Sequence, residues 1–321
     1  YVDQIRSLPI FGVLPEDALN MNILVDMAFL RFCKRINTVL LSKIKTTGRK
    51  YIGARVITPR SGIYSNIAVY DFKSLYPSII LEYNISLDTF DPNGDIVIDD
   101  QHRYRSSPRG IVPQIVEYIL KLREEKQRLL DQISDPIEKE RLSREEYLLK
   151  IKANAIYGVF GQKSFRLYSP KIAESIALIG RRYSELIEQF LRSRGYEIVY
   201  GDTDSLMVQL KSSDPVSEAN SIEDMINEYL RSQFKYVSIK LEQIFDRVMF
   251  LKKKRYAGHV IYKKGSSVDE WYYRGLEYRR SDTSDLIREI QPKIIQMILY
   301  NHRREEIMEL SLIHISEPTR P

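Results

Sequence analysis

Cysteine is almost missing from this chain of 321 residues. Cys33 stands alone, so neither an internal disulfide nor a multi-cysteine zinc site can form, and a reducing compartment fits. No apolar run approaches the ~20 residues that a membrane-spanning helix needs. The opening segment 1–8 has no basic stretch followed by an apolar one, so no secretory leader is expected. Internal repeats and low-complexity tracts are missing too. What is present is 43% hydrophobic and 29% charged residues, the composition of a folded globular protein rather than a disordered one. The length suffices for one large domain or two to three lobes. Lys and Arg number 49 against 43 for Asp and Glu, a net charge of +6 that is compatible with a polyanionic partner. The 22 tyrosines suit a surface on which bases stack, though composition by itself decides little.

Pattern orders the chain into elements. Residues 51–70 alternate in short β-like runs with turn signals at Pro59, Gly62 and Ser65. Within NIAVY (66–70), Ile67 and Val69 share one face of a strand that leads into Asp71. Turn-rich sequence fills 88–110. A helix is expected from about Pro113, with Ile115, Ile119 and Leu122 at helical spacing. Asp135–Pro136 interrupts it, and a second helix runs from about Ile137 to Tyr157, ending near Gly158 and Gly161. The two read as an antiparallel pair. Ser169–Pro170 opens a third helix whose apolar stripe is Ile172, Ile176, Ile179, Tyr183, Leu186 and Phe190, closed by Gly195. Tyr196–Leu210 reads as a β-hairpin turning at Gly201–Asp202, with a second strand carrying Leu206 and Val208. A helix near 221–234 and β-like sequence from 248 to 273 follow. The last segment, SLIHISEPTRP (311–321), has no periodicity and reads as an unrelated extension or the mark of a truncation.

Two acidic sites stand at strand ends far apart in sequence: Asp71, and the pair Asp202 and Asp204 in YGDTDS. Phosphoryl transfer from a nucleoside triphosphate asks the protein for positioning and for neutralisation of developing negative charge. Two Mg²⁺ ions do this in many enzymes, and aspartates on rigid strands are suitable oxygen ligands. A lone Gly–Asp pair is ordinarily just a turn. Here it has company.

DFKSLYPSII (71–80), KIKANAIYG (150–158) and YGDTDS (200–205) resemble, in order and spacing, motifs A, B and C of family B DNA polymerases. YIGA (51–54) is similar to the tyrosine–glycine motif before motif A. KKRY (253–256) is similar to the lysine-rich motif after motif C, and GLEYRRSDTS (275–284) to the start of the thumb. The resemblance covers roughly residues 45–285. It implies an α+β fold: a right-hand palm of antiparallel sheet backed by helices, a two-helix fingers projection and a partial thumb. The expected divisions are a lead-in at 1–50, palm at 51–107, fingers at 108–160, palm again at 161–256, and a truncated thumb at 257–310.

The resemblance also implies roles. Asp71 and Asp204 would hold two Mg²⁺ ions, with Mn²⁺ as a substitute, the Phe72 carbonyl completing one shell and Asp202 a secondary carboxylate. Ser74, Leu75 and Tyr76 would meet the incoming dNTP, Tyr76 as the ring that rejects a 2′-hydroxyl by clash. Lys150, Asn154 and Tyr157 fall at i, i+4 and i+7 on one helical face and would serve the same nucleotide, together with Arg123. The family pattern places a Lys four residues after that Arg, but Gln127 stands there, leaving Lys126 and Arg128 as candidates for the second contact. Primer–template DNA would be held by Tyr51, Gly53, Lys253, Lys254, Arg255, Tyr256 and Arg280. The cations of 252–255 are expected on a strand, where alternate side chains face opposite ways.

The expected activity is template-directed extension of a primer 3′-hydroxyl. No proofreading is expected, since no paired acidic pattern precedes Asp71, and a nucleic-acid primer is expected rather than a terminal protein. A processivity factor or other replisome proteins would engage regions outside this chain. The expected place of action is the cytoplasm of a prokaryote or archaeon, the nucleus of a eukaryote, or wherever a viral host replicates DNA; secretion is not expected. Two other classes stay open: an inactive DNA-binding remnant, and another palm enzyme such as a reverse transcriptase, against which the DTDS hairpin speaks.

Overall fold

The computed structural model describes residues 20–40, 53, 56–279 and 283–309, so Tyr51, Arg280 and the 311–321 tail lie outside the described residues. Two compact units are present, one mainly helical and one built on a sheet. No helix among the described residues is long and apolar enough to cross a membrane.

The sheet unit carries seven strands: β1 (Val56–Ile57), β2 (Gly62–Phe72), β5 (Ile198–Asp202), β6 (Ser205–Gln209), β7 (Ile239–Lys252), β8 (Arg255–Lys263) and β9 (Ser266–Arg274). Their order is β1-β5-β6-β2-β7-β8-β9, and every pairing is antiparallel. Ile67 and Val69 enter one core with Tyr200, Met207, Phe245, Phe250 and Tyr256, as the alternation predicts. The opposite side of β2 is covered as well, because the Tyr70 hydroxyl donates to the Ala219 carbonyl of α6 (Pro215–Arg231) at 2.9 Å. Ser65 makes no turn. It pairs with Arg247 inside β2, where the register shifts at Val69/Tyr70. β8 and β9 extend this sheet across the expected boundary at 257, and α7 (Asp285–Leu299) packs Ile295 and Leu299 on Ala257 and Tyr273.

The helical unit contains α1 (Met21–Arg35), α2 (Leu75–Glu82), the short ribbon β3 (Ile96–Val97) and β4 (Arg103–Tyr104), α3 (Ile111–Gln132) and α4 (Pro136–Phe160). α3 starts two residues before the expected Pro113, and the reason lies far off in sequence. Asp88 accepts from the Ile111 N–H at 3.1 Å and the Ser86 hydroxyl from the Val112 N–H at 3.2 Å, so the first turn is capped from a loop rather than by Gly110. Asp135 caps α4, with Pro136 in the first turn, and Gly161 ends it. The third helix, α5 (Pro170–Ser193), has residues in both units. Its stripe holds at Ile172, Ile176, Ile179 and Tyr183, but beyond these the fully buried positions are Ile187 and Leu191, not Leu186 and Phe190. Gly195 (φ +80°) closes the helix through the Tyr196 N–H to Leu191 carbonyl bond of 3.0 Å. α6 begins six residues before the expected 221, because Asp214 accepts from the Ser217 N–H and Pro215 opens the first turn.

Candidate active site

In the sheet unit, the register of β2 against β6 sets Asp71 opposite Ser205, and the Phe72 N–H donates to the Asp204 carbonyl at 2.9 Å. Two acids separated by 132 intervening residues therefore stand on neighbouring segments at one end of the sheet. The expected turn at Gly201–Asp202 lies two residues later. Asp202 pairs with Ser205 as the last rung of β5–β6, and Thr203–Asp204 forms the tip. Thr203 has φ +62°, and the Asp204 N–H folds back to the Asp202 carbonyl at 2.7 Å. A β-branched residue in the left-handed region is strained, and such strain is characteristic of functional turns.

Burial pushes the Asp204 carboxyl above the usual carboxylate range, and the charge of Asp202 adds to it against the pull of Arg274 and Lys254. Asp202 is itself buried and pairs with Lys254 at 3.2 Å. Among the described residues no three His, Cys, Asp or Glu side chains converge as a metal cage. Asp71, Asp204 and the Phe72 carbonyl, the groups expected from the motifs, offer oxygen donors only, and Asp204 is held against its charge. That set fits a hard divalent cation that keeps several waters.

The KKRY segment differs from its expected form. Lys252 pairs with Arg255 across β7–β8, so Lys253–Lys254 is a two-residue turn, with Lys254 at φ +60°. The cations gather at a hairpin tip instead of alternating along a strand. The Lys254 N–H donates to the Tyr200 hydroxyl at 3.1 Å, which, with the Asp202 pair, fastens this turn to the YGDTDS hairpin. Arg255 pairs with Glu277, and the Tyr256 ring lies in the core, 5.7 Å from that of Tyr200. Gly275 (φ +63°) is required here, since a Cβ would stand 2.2 Å from the Lys254 carbonyl.

In the helical unit, Ser74 precedes α2 in the left-handed region (φ +51°) without capping it through its side chain. Leu75 is buried, and the Tyr76 ring stacks on that of Tyr157 at 3.9 Å and 24°. Two positions 81 apart in sequence thus meet. On α4, Lys150 and Asn154 are exposed and Tyr157 is half-buried on the same face. Gly53 is exposed, its carbonyl accepting from Arg181 at 2.6 Å.

Arg123 and Lys126 on α3 are already engaged. Arg123 donates to Glu146 at 2.6 Å, and Gln127 donates to the same oxygen at 3.0 Å. Lys126 lies 2.6 Å from the carboxylate of Glu145, whose side chain is 1% exposed. Lys126 is therefore an interhelical ion pair, while Arg128 is exposed. The sequence reading missed Glu145 and Glu146; an acidic pair facing the basic run of the preceding helix is the signal that could have found them. It also missed Lys152, buried on the inner face of α4, whose pKa burial lowers to about 8.

Comparison with known proteins extends these observations. The family model described as DNA polymerase family B matches residues 19–317. DNA polymerase 1 of Pyrococcus abyssi is 31% identical over 265 residues, 81% of this chain and 34% of that protein. The DNA polymerase alpha catalytic subunit of Oryza sativa subsp. japonica is 30% identical over 278 residues, 85% of this chain and 18% of that one. The solved family B DNA polymerase from the hyperthermophilic archaeon Pyrobaculum calidifontis aligns with a TM-score of 0.72 at 28% identity, over 98% of this chain and 40% of that chain. The chain spans about a third of the length of the archaeal relatives it matches. With a family model covering nearly all of its residues and relatives at about 30% identity, the chain belongs to DNA polymerase family B.

Proposed function

We propose that the chain carries the polymerase core of a DNA-directed DNA polymerase, transferring a deoxynucleoside monophosphate from a dNTP to a primer 3′-hydroxyl on a DNA template. The observation that carries this is the β2–β6 pairing, with Asp71 opposite Ser205 and Phe72 bonded to Asp204. The seven-stranded sheet would be the palm, the α3–α4 pair the fingers, and the segment after β9 the start of the thumb.

Asp71 and Asp204, with the Phe72 carbonyl, would hold the divalent cations, Mg²⁺ or Mn²⁺. When bound, these would screen the phosphates and acidify the primer hydroxyl. The Tyr76 ring, stacked on Tyr157 at 3.9 Å, would exclude a 2′-hydroxyl by clash. Lys150 and Asn154, exposed one turn apart, bind phosphate oxygens together with the backbone of Ser74 and Leu75. Arg123 joins them by exchanging Glu146 for phosphate. Lys253 and Lys254 meet the duplex backbone, with affinity that falls as salt rises, and Arg255 and Tyr256 hold their turn in place. Tyr51, Gly53 and Arg280 are assigned to DNA on the motif resemblance.

Primer extension by Asp71→Asn and Asp204→Asn tests the proposal. Each is expected to lose about 10³-fold or more in nucleotide addition, the several kcal/mol that a metal site contributes, while gel-shift affinity for primer–template persists. Extension unchanged in either variant would refute it. DNA binding by the unsubstituted chain with no incorporation under Mg²⁺ or Mn²⁺ would favour a binding remnant.

A further inference from the structure

Within the helical unit, α2, α3 and the 235–238 segment enclose a pocket of about 310 Å³. Three cations line it, Lys73, Arg123 and Lys235, against one acid, Glu124, with the hydroxyls of Ser74 and Ser78 between them. The walls are fixed by main-chain bonds. The Lys73 N–H donates to the Ser238 carbonyl at 2.9 Å, and the Glu82 carboxylate accepts from the Lys235 and Tyr236 N–H groups at 3.0 and 2.8 Å. Among the described residues neither Lys73 nor Lys235 has an ion pair; the Lys235 ammonium lies 5.2 Å from the Tyr236 ring centroid. Arg109 stands near the same ring at 5.8 Å, its Nη2 buried without a hydrogen-bond partner. Lys73 and Lys235, on a fixed main-chain frame and without an ion pair among the described residues, form with the Glu146-held Arg123 a site for a compact polyanion.

We propose that this pocket receives inorganic diphosphate, the product of nucleotide addition, as it leaves. The inference rests on the polymerase reading, in which the primer oxygen bonds to the α-phosphorus, the α–β phosphoanhydride bond breaks and the hydroxyl proton passes to solvent. Ser74 and Arg123 belong both to the residues assigned to the incoming triphosphate and to this lining, so the released diphosphate begins beside the pocket. Lys73 and Lys235 take over its charge. Lys150 and Asn154, which serve the substrate, are not part of the lining.

Calorimetric titration of inorganic diphosphate into the chain in EDTA provides the test. Lys235→Gln is expected to weaken binding about tenfold, the scale of one charge-assisted hydrogen bond. Lys139→Gln, at an exposed lysine of α4, is expected to leave it unchanged. In primer extension, Lys235→Gln should raise the diphosphate concentration needed for inhibition by a similar factor while the KM for dNTP stays put. Equal losses in both variants would reduce the effect to general charge, and a matching rise in dNTP KM would assign the pocket to substrate phosphates. Either outcome overturns the proposal, as does unchanged binding. Failure of primer extension in the unsubstituted chain would count against the polymerase reading alone, because the EDTA titration needs no catalysis.

Discussion

The sheet unit and the helical unit each bury an ionisable side chain against its own charge, with opposite signs. Asp204 sits at a strained hairpin tip, where burial and the neighbouring Asp202 push its carboxyl up. Lys152 sits on the apolar face of α4 among Leu148, Leu149 and Ile156, where burial alone brings its ammonium down to about 8. The β5–β6 pairing that closes at Asp202 and Ser205 holds the Asp204 turn, and a bound cation would relieve its cost. Nothing in the proposed chemistry uses Lys152. Asp204 thus carries a penalty that a bound cation would relieve, while the proposed chemistry gives Lys152 no such partner.

That contrast can be broken by substitution. Lys152→Met should stabilise the chain by about 3 kcal/mol at pH 7, since the pKa falls from 10.5 to about 8 and one pKa unit is about 1.4 kcal/mol. The folded pKa is lowered, so the unfolded chain binds more protons between about 8 and 10.5, and wild-type stability rises with pH across that window. The advantage of the variant should be full below pH 8 and fade towards 10.5, as urea unfolding at several pH values would reveal. An advantage independent of pH would mean that packing, not charge, is responsible.

Asp204→Asn should behave as the mirror image, raising the stability of the metal-free chain by about 1 kcal/mol, the usual return for relaxing a functional site. The folded pKa is raised, so the folded chain binds more protons just above the ordinary value of 3.8, and stability falls as pH climbs through the raised value. The gain should therefore be present at neutral pH and vanish below about 4, measured by thermal unfolding in EDTA. If the variant is less stable at neutral pH, the acid is not held against its charge. The smallest effect is expected at Gln127→Lys. A second cation sharing Glu146 would loosen Arg123 and lower the dNTP KM about threefold, the ~0.5 kcal/mol of a partly exposed ion pair. An unchanged KM would leave Glu146 with no hold on nucleotide binding.

Much of the fold was legible because its signals are local. Asp135–Pro136 and Ser169–Pro170 open helices α4 and α5 where the cap chemistry says they should. Ile67 and Val69 fall on the side of β2 that the two-residue period predicts. The misplacements turn on which residues pair, whether near or far in sequence. The first turn of α3 is completed by Ser86 and Asp88. The hairpin turn moved from 201–202 to 203–204 because the pairing of Asp202 with Ser205 decides which residues form the tip. The KKRY cations became a turn because Lys252 and Arg255 pair with each other.

The sequence by itself determined which acids, cations and aromatics are available and in what order, since side-chain type and local periodicity are properties of the chain alone. Only the tertiary structure decided that Asp71 lies against the Ser205 strand, that Tyr76 stacks on Tyr157, that Arg123 is held by Glu146 and that Lys152 faces inward. Strand register, helix facing and desolvation are set by contacts between residues remote in the chain, and no local pattern encodes them.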